Sequence, residues 1–266
     1  MASKVATSAM KRIASNVEVE RKFNLGPKFA SLFTKHATSQ EKVPFVLRSH
    51  PEQHIRDTYY DTEDGHLEKL GMWVRERSVN VLPLDPIGST ADAKNGAEWN
   101  AKLRIAGHFS NSQFVEFDGR TNVSREVLRI TGNEKKLEDL SVVSDLLTRR
   151  SEWEVTKLAN DMAPSAKMTV VVDEVTEAEA KSETETGKDG IKEAAFHHVV
   201  GEVELFEELV TEDKDDAEHE AHRKDIGALR MKELEEFMSS HPELFSTSPS
   251  PVGKLSAYEA WKAERA

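Results

Sequence analysis

Charged and polar residues stand two apart inside short runs otherwise rich in Val, Trp and Leu. They are Glu18, Glu20 and Lys22; Arg75 and Arg77; Asn100, Lys102 and Arg104; and Glu202 and Glu204. In an extended strand, residues i, i+2 and i+4 project from one face, so each set shares a side. A row of bases can grip the oxygens of a polyphosphate, Arg bidentately. A row of carboxylates can hold Mg²⁺, a hard ion that prefers oxygen ligands and keeps several waters. Periodicity alone favours a plainer arrangement, the half-exposed antiparallel sheet with apolar residues in and charges out. Composition points the other way. Exposed strands prefer Thr and mixed polar residues, whereas here acids gather on the first and last strands and bases on the middle ones. If the charged faces turned into a closed barrel, opposite signs across the lumen would lower the cost of burying either. The apolar residues would then face outward under helices. Met72 and Val74 alternate with Arg75 and Arg77, while Val17, Val19 and Phe23 are not expected to lie all together.

Strands are needed to carry these charges. Runs of β-branched and aromatic residues predict them over 17–23, 54–61, 72–78, 98–105, 113–118, 149–155, 168–175 and 199–206. Turn-rich segments separate most of them, as in an antiparallel meander or barrel. Helical patterns fall over 29–35, 137–147, 225–238 and 254–262. Segments 79–97 and 177–193 have the composition of solvated loop insertions, and 212–220 is a further acidic run. Residues 1–16 carry Lys4, Lys11 and Arg12 without an acid and are expected to form a disordered tail rather than a targeting signal. Residues 17–266 then form one domain.

The chain has 266 residues, a net charge of −12 and no cysteine. The last point excludes disulfides, thiolate metal sites and thiol nucleophiles, and fits a reducing compartment; the expected location is cytoplasmic. No run approaches the ~20 apolar residues of a membrane span. The acidic balance argues against general nucleic-acid binding, which needs a basic face, but leaves room for a local basic site for a compact anion. The ten histidines form no HExxH-like arrangement, and His197-His198 is expected to border the acidic loop.

Several of these segments occur together in a known order. VEVERKF (17–23) contains an ExExK motif and is followed by RDTYYDT (56–62), WVRER (73–77), WNAK (99–102), TRRSEW (148–153), GEVE (201–204) and GKL (253–255). Alone, ExExK is weak in a chain this rich in Glu and Lys; the ordered set is specific. Over roughly residues 17–261 the sequence resembles the CYTH superfamily, the triphosphate tunnel metalloenzymes, and within it most resembles the thiamine triphosphatases of animals. The resemblance implies an α+β fold, an eight-stranded antiparallel β-barrel with helices packed outside, and hydrolysis of a triphosphate at its terminal phosphoryl group. It also implies Mg²⁺, with Mn²⁺ as the alternative, a small-molecule triphosphate as partner, and a monomer.

Carried over by motif, Lys22, Arg75, Arg77, Lys102, Arg150 and Lys254 would bind phosphate. Glu18, Glu20, Glu116, Asp173, Glu202 and Glu204 would hold the metal directly or through water. Lys22, Glu20 and Glu204 would be catalytic, with Lys22 a candidate base if its pKa is depressed. Trp73 would either stack on a cationic ring or anchor the barrel wall. Asn100 stands where the thiamine enzymes resemble an acid, and Asp118 where they resemble a base; both bear on substrate preference. Parity does not say which of Tyr59 and Tyr60 faces inward. Rival readings are a general tripolyphosphatase or nucleoside triphosphatase, a class IV-type adenylate cyclase, a non-catalytic polyphosphate-binding module, and an acidic scaffold with its charges outward.

Overall fold

The computed structural model describes residues 12–33, 45–81, 96–158, 160, 162–178, 195–212 and 216–265. Eight long strands are joined by helices and turns. The strands are β1 (Arg12–Leu25), β3 (Gln53–Asp61), β4 (Met72–Val81), β5 (Glu98–His108), β6 (Asn111–Asp118), β7 (Ser141–Lys157), β8 (Lys167–Glu177) and β9 (His197–Glu212). They run in the order β1-β6-β5-β4-β3-β7-β8-β9, and β9 pairs back to β1 along residues 12–23, closing an antiparallel barrel. Two short strands flank it: β2 (Val46–Ser49) on β7 and β10 (Phe245–Ser246) on β1.

The apolar core lies mainly outside this barrel. Val17, Val19 and Phe23 of β1 do lie together, because all three have odd parity. They pack with Leu205 of β9 against Phe29 of α1 (Pro27–Phe33) and Leu234 and Phe237 of α4 (Asp216–Ser239). Gly201 has no side chain because the Phe23 ring crosses it: a Cβ there would meet the ring at 2.3 Å. On the opposite wall, Met72, Val74 and Ala101 pack under Val123 and Val127 of α3 (Arg120–Ile130). A third cluster joins Tyr59, Leu146 and Val175 to Tyr258 and Leu255 of α5 (Lys254–Ala263), at one end of the barrel. The short helix α2 (His66–Lys69) follows β3, held by Asp61, whose carboxylate accepts from the N–H groups of Leu67 and Glu68. Among the described residues no helix is long and apolar enough to cross a membrane.

Segment 137–147, read as helical, is instead a single 3₁₀ turn (Leu137–Asp139) followed by the start of β7. Its leucines fit a helical period, but Val142 and Val143 are β-branched and the segment is paired to β3 from Ser141 onward. The first strand begins at Arg12, inside the expected tail; residues 1–11 and the larger parts of both insertions lie outside the described residues. Helix α3, and the short elements α2, β2 and β10, were not expected from the sequence pattern.

Candidate active site

The inner face of the barrel carries the charges. Glu18, Glu20 and Lys22 are buried, like Val17 and Val19 beside them, but they point into the bore. Cross-strand register sets acids beside bases. Lys22 lies opposite Glu202, Lys102 opposite Glu116, Asp57 opposite Arg77, and Arg150 opposite Asp173.

Each base meets at least one carboxylate. Lys102 Nζ lies 2.7 Å from Glu18, 3.5 Å from Glu116 and 3.6 Å from Glu20. Lys22 Nζ donates to Glu20 and lies 3.2 Å from Glu202. Arg150 forms a two-point bond to Asp173, at 2.7 and 2.8 Å, with Glu204 at 3.9 Å. Arg77 grips Asp57 in the same way, at 2.6 and 2.7 Å. Lys254, at the first position of α5, enters the bore and donates to Asp57 at 3.2 Å, with Asp173 at 3.8 Å. Residue 253 is Gly, and a Cβ there would press on the end of the Lys22 side chain, 2.9 Å from its Cε.

Two cavities meet in the bore. One, of about 800 Å³ including its open mouth, is lined by Glu20, Lys22, Tyr59, Trp73 and Lys254 among others. The other, of about 620 Å³, is lined by Glu18, Arg77, Glu116 and Glu204. Arg75, Lys102 and Arg150 border both, so three bases ring the waist between them.

The carboxylates fall into two groups. Glu18, Glu20 and Glu204 each offer an oxygen, and these oxygens lie within 4.8 Å of one another. Burial first, then repulsion from Glu18 and Glu202, pushes Glu204 well above the usual carboxylate range against the pull of Arg150. Burial likewise raises Glu18, opposed by Lys102. Crowded, buried, all-oxygen donors of this kind fit a hard divalent cation, which takes carboxylate ligands. Asp57 behaves oppositely: burial would raise it, but Arg75, Lys254 and Arg77 outweigh burial and hold it well below the ordinary range. Asp173 is lowered against its own burial by Arg150 and Lys254.

Of the six acids expected to serve a metal, the structure therefore gathers Glu18, Glu20 and Glu204. Glu116 stands beside Lys102, Glu202 beside Lys22, and Asp173 is taken up by Arg150 and Lys254. A depressed Lys22 is not found. Burial lowers its pKa, but Glu20 and Glu202 outweigh burial and raise it, the direction that suits phosphate binding. Tyr59 faces inward beside Asp57, and Tyr60 outward, bonded to Glu76. Asn100 joins Arg75 to Asp118, accepting from Nε at 2.9 Å and donating to Asp118 at 2.8 Å. The two unusual residues are thus cross-strand partners.

Trp73 lines the bore's mouth, edge-on to Phe114 at 5.8 Å and to Phe109 at 6.4 Å, with the Arg104 guanidinium 5.3 Å from its ring centroid. It belongs to no outer-wall cluster. Asp57 is the functional residue that sequence reasoning missed; its only signal was the acid two positions before Tyr59 in RDTYYDT. His197 and His198 bond to Glu174 and the Val252 carbonyl, away from the acid trio.

Residues 16–221 match the CYTH domain. The chain belongs to the CYTH domain family. Membership places it among metal-dependent enzymes that act on phosphoanhydrides, a superfamily of triphosphatases and cyclases. No curated protein matches the sequence significantly. Among solved structures, the CYTH chain is similar to a protein from Hippeastrum, described as a candidate adenylyl cyclase with a dominant triphosphatase activity. Identity is 13% and the TM-score 0.44, over 92% of this chain and 96% of that one. A candidate adenylate cyclase from Vibrio parahaemolyticus matches at 13% identity and TM-score 0.41, over 91% and 97%. One from Bacillus halodurans matches at 15% and 0.37, over 85% and 91%. Matches this distant carry no argument on substrate.

Proposed function

We propose that this CYTH protein hydrolyses thiamine triphosphate to thiamine diphosphate and phosphate, with Mg²⁺, or Mn²⁺ in its place, held by Glu18, Glu20 and Glu204. The observation that carries the reading is a ring of bases at the waist of a closed bore, between an acid trio and a mouth lined by Trp73. Arg75, Arg77, Lys102, Arg150, Lys22 and Lys254 bind the triphosphate oxygens and neutralise charge at the β–γ bridge, the main demand of phosphoryl transfer. Their present carboxylate partners keep them pre-organised. Glu18, Glu20 and Glu204 would hold a divalent ion, which would supply Lewis acidity at the phosphate oxygens and activate water for attack. A water oxygen bonds to the γ-phosphorus as the bond to the bridging oxygen breaks. The electron pair leaves with the diphosphate, and the water's proton passes to a carboxylate of the trio, Glu20 or Glu204. Glu116, Asp173 and Glu202 support the site by holding Lys102, Arg150 and Lys22. Trp73 offers an aromatic face to the thiazolium cation. The reading extends to a monomeric, cytoplasmic enzyme, which light scattering and cell fractionation test.

A second reading, a general tripolyphosphatase or nucleoside triphosphatase, draws on Arg104, which already sets a cation over Trp73. Phosphate release from thiamine triphosphate, ATP and tripolyphosphate with Mg²⁺ separates the two. The proposal expects thiamine triphosphate to have the highest kcat/KM, and ATP turned over at least as efficiently would defeat it. Tight binding without release in any case would favour a binding module.

A further inference from the structure

Arg75, Asn100 and Asp118 form one row across three neighbouring strands, with Arg75 of β4 opposite Asn100 of β5 and Asn100 opposite Asp118 of β6. The row lies two residues further along β4 than Trp73, away from the mouth that Trp73 lines. All three residues border a cavity of about 1060 Å³ on that side of the bore. Asp118 is exposed, while Asn100 and Arg75 are buried. The Asn100 amide donates to Asp118 at 2.8 Å and accepts from Arg75 Nε at 2.9 Å. An Arg Nε can only donate and an ionised carboxylate can only accept, so the amide between them has one orientation.

Arg75 differs from the other five bases of the bore. Lys102, Arg77, Arg150 and Lys254 each have a carboxylate oxygen within 3.2 Å, and Lys22 donates to Glu20. The nearest partner of Arg75 is instead the neutral Asn100 carbonyl, with the Asp57 carboxylate 3.7 Å from Nη1. Asp57 is shared with Arg77 and Lys254, so it offsets only part of the Arg75 charge. A neutral acceptor fixes a guanidinium in place without cancelling its charge, as an acid at position 100 would. Asn100 stands where the thiamine enzymes resemble an acid, and the negative charge of this row sits one strand further from Arg75, on Asp118.

We infer that Asn100 is a positioning residue for the triphosphate: it holds Arg75 by a neutral acceptor, with Asp118 fixing the other end of the amide, so that Arg75 meets the substrate with its charge less compensated than that of the other bases. The inference rests on the reading of the bore as a triphosphate site. Arg75 borders both cavities that meet at the waist as well as the one beside Asp118, which places it where the phosphate chain would lie. Affinity for the triphosphate then depends on the charge of residue 100, and not only on the hydrogen bond that residue makes.

The test is calorimetric titration of tripolyphosphate into metal-free protein, so that binding alone is read, together with thermal melts. The proteins are the wild type, Asn100→Asp and the double variant Asn100→Asp/Asp118→Asn, each shown to be folded by circular dichroism at the titration temperature. Asn100→Asp sets two carboxylates side by side, and both Tm and affinity should fall. The double variant restores both hydrogen bonds and keeps the net charge of the row, moving only the negative charge one strand closer to Arg75. Its Tm should return close to that of the wild type, while its Kd for tripolyphosphate stays about tenfold weaker, the scale of such a displacement in a partly screened site. A purely structural role would return Kd together with Tm. A double variant that binds as tightly as the wild type therefore overturns the inference and leaves the bore's assignment standing. Should Asn100→Asp fail to fold, the double variant decides alone. Wild-type protein that binds no tripolyphosphate defeats the bore's assignment and the inference with it.

Discussion

The two faces of β1 are both buried and do opposite work. Outward, Val17, Val19 and Phe23 exclude water together with α1 and α4. Inward, Glu18, Glu20 and Lys22 are also buried, yet each is satisfied by another charge, two positions along the strand, on the next strand or across the bore. The outer face is held by area removed from water, which is tolerant of exact geometry. The inner face is held by pairing, in which the loss of one partner strands the other in a poorly solvated space. A barrel built this way keeps its chemistry inside, so outer substitutions should cost stability alone, whereas inner ones should cost activity and, where they break a shared ion pair, stability as well.

The largest separation is expected in the acid trio. Glu20→Gln and Glu204→Gln should lower kcat by about 10²–10³-fold and weaken the dependence on Mg²⁺, while metal-free Tm stays level or rises in Glu204→Gln, whose crowding is relieved, and falls in Glu20→Gln, which takes a partner from Lys22. Phosphate-release assays over a Mg²⁺ series, with thermal melts, check both halves. Next, Asp57→Ala should destabilise by about 3–5 kcal/mol, since it leaves Arg75, Arg77 and Lys254 without their shared buried partner; denaturant unfolding measures it. Leu234→Ala on the outer side should cost about 2–5 kcal/mol through the cavity it opens under β1, with kcat little changed. Equal loss of activity in that variant would break the division between the faces.

A smaller effect is expected from pH. Asp57 and Asp173 have folded pKa values below their unfolded ones, so their stabilisation is complete above about pH 4, the unfolded carboxylate value. It is lost as pH falls through the folded values. Glu204 has the opposite sign: its charged form is disfavoured in the fold, so the penalty is relieved as pH falls through its folded value toward the ordinary carboxylate range. Metal-free Tm should therefore rise on mild acidification and fall only in stronger acid, and Asp57→Asn should blunt that fall. Smallest of all, Arg149→Ala, which breaks an exposed pair with Glu174, should change stability by less than about 1 kcal/mol.

Much of this arrangement is legible in the sequence, and the limits have physical causes. Alternation reports which residues share a face, so the rows at 18–22, 75–77 and 202–204 were readable, and their signs suggested an enclosed bore. Alternation does not report what stands across the lumen. Asp173, expected from the resemblance to help hold metal, is also the partner of Arg150 and Lys254, which alternation does not show. Asp57 passed unnoticed because its partners are far away in sequence. Lys22 could be placed in the bore, but the sign of its pKa shift depends on Glu202 as well as Glu20. Segment 137–147 shows the corresponding limit for elements: leucine spacing fits a helix, and only pairing with β3 makes it a strand.

The central claim is that the interior of the barrel, not its surface, holds metal and triphosphate. Crystals grown with Mn²⁺ and tripolyphosphate test it most directly through the anomalous signal of the metal. The account predicts a Mn²⁺ peak among Glu18, Glu20 and Glu204, with phosphate oxygens on Arg75, Lys102 and Arg150. Metal and tripolyphosphate bound only on the outer surface, with the bore's ion pairs unchanged, would contradict it.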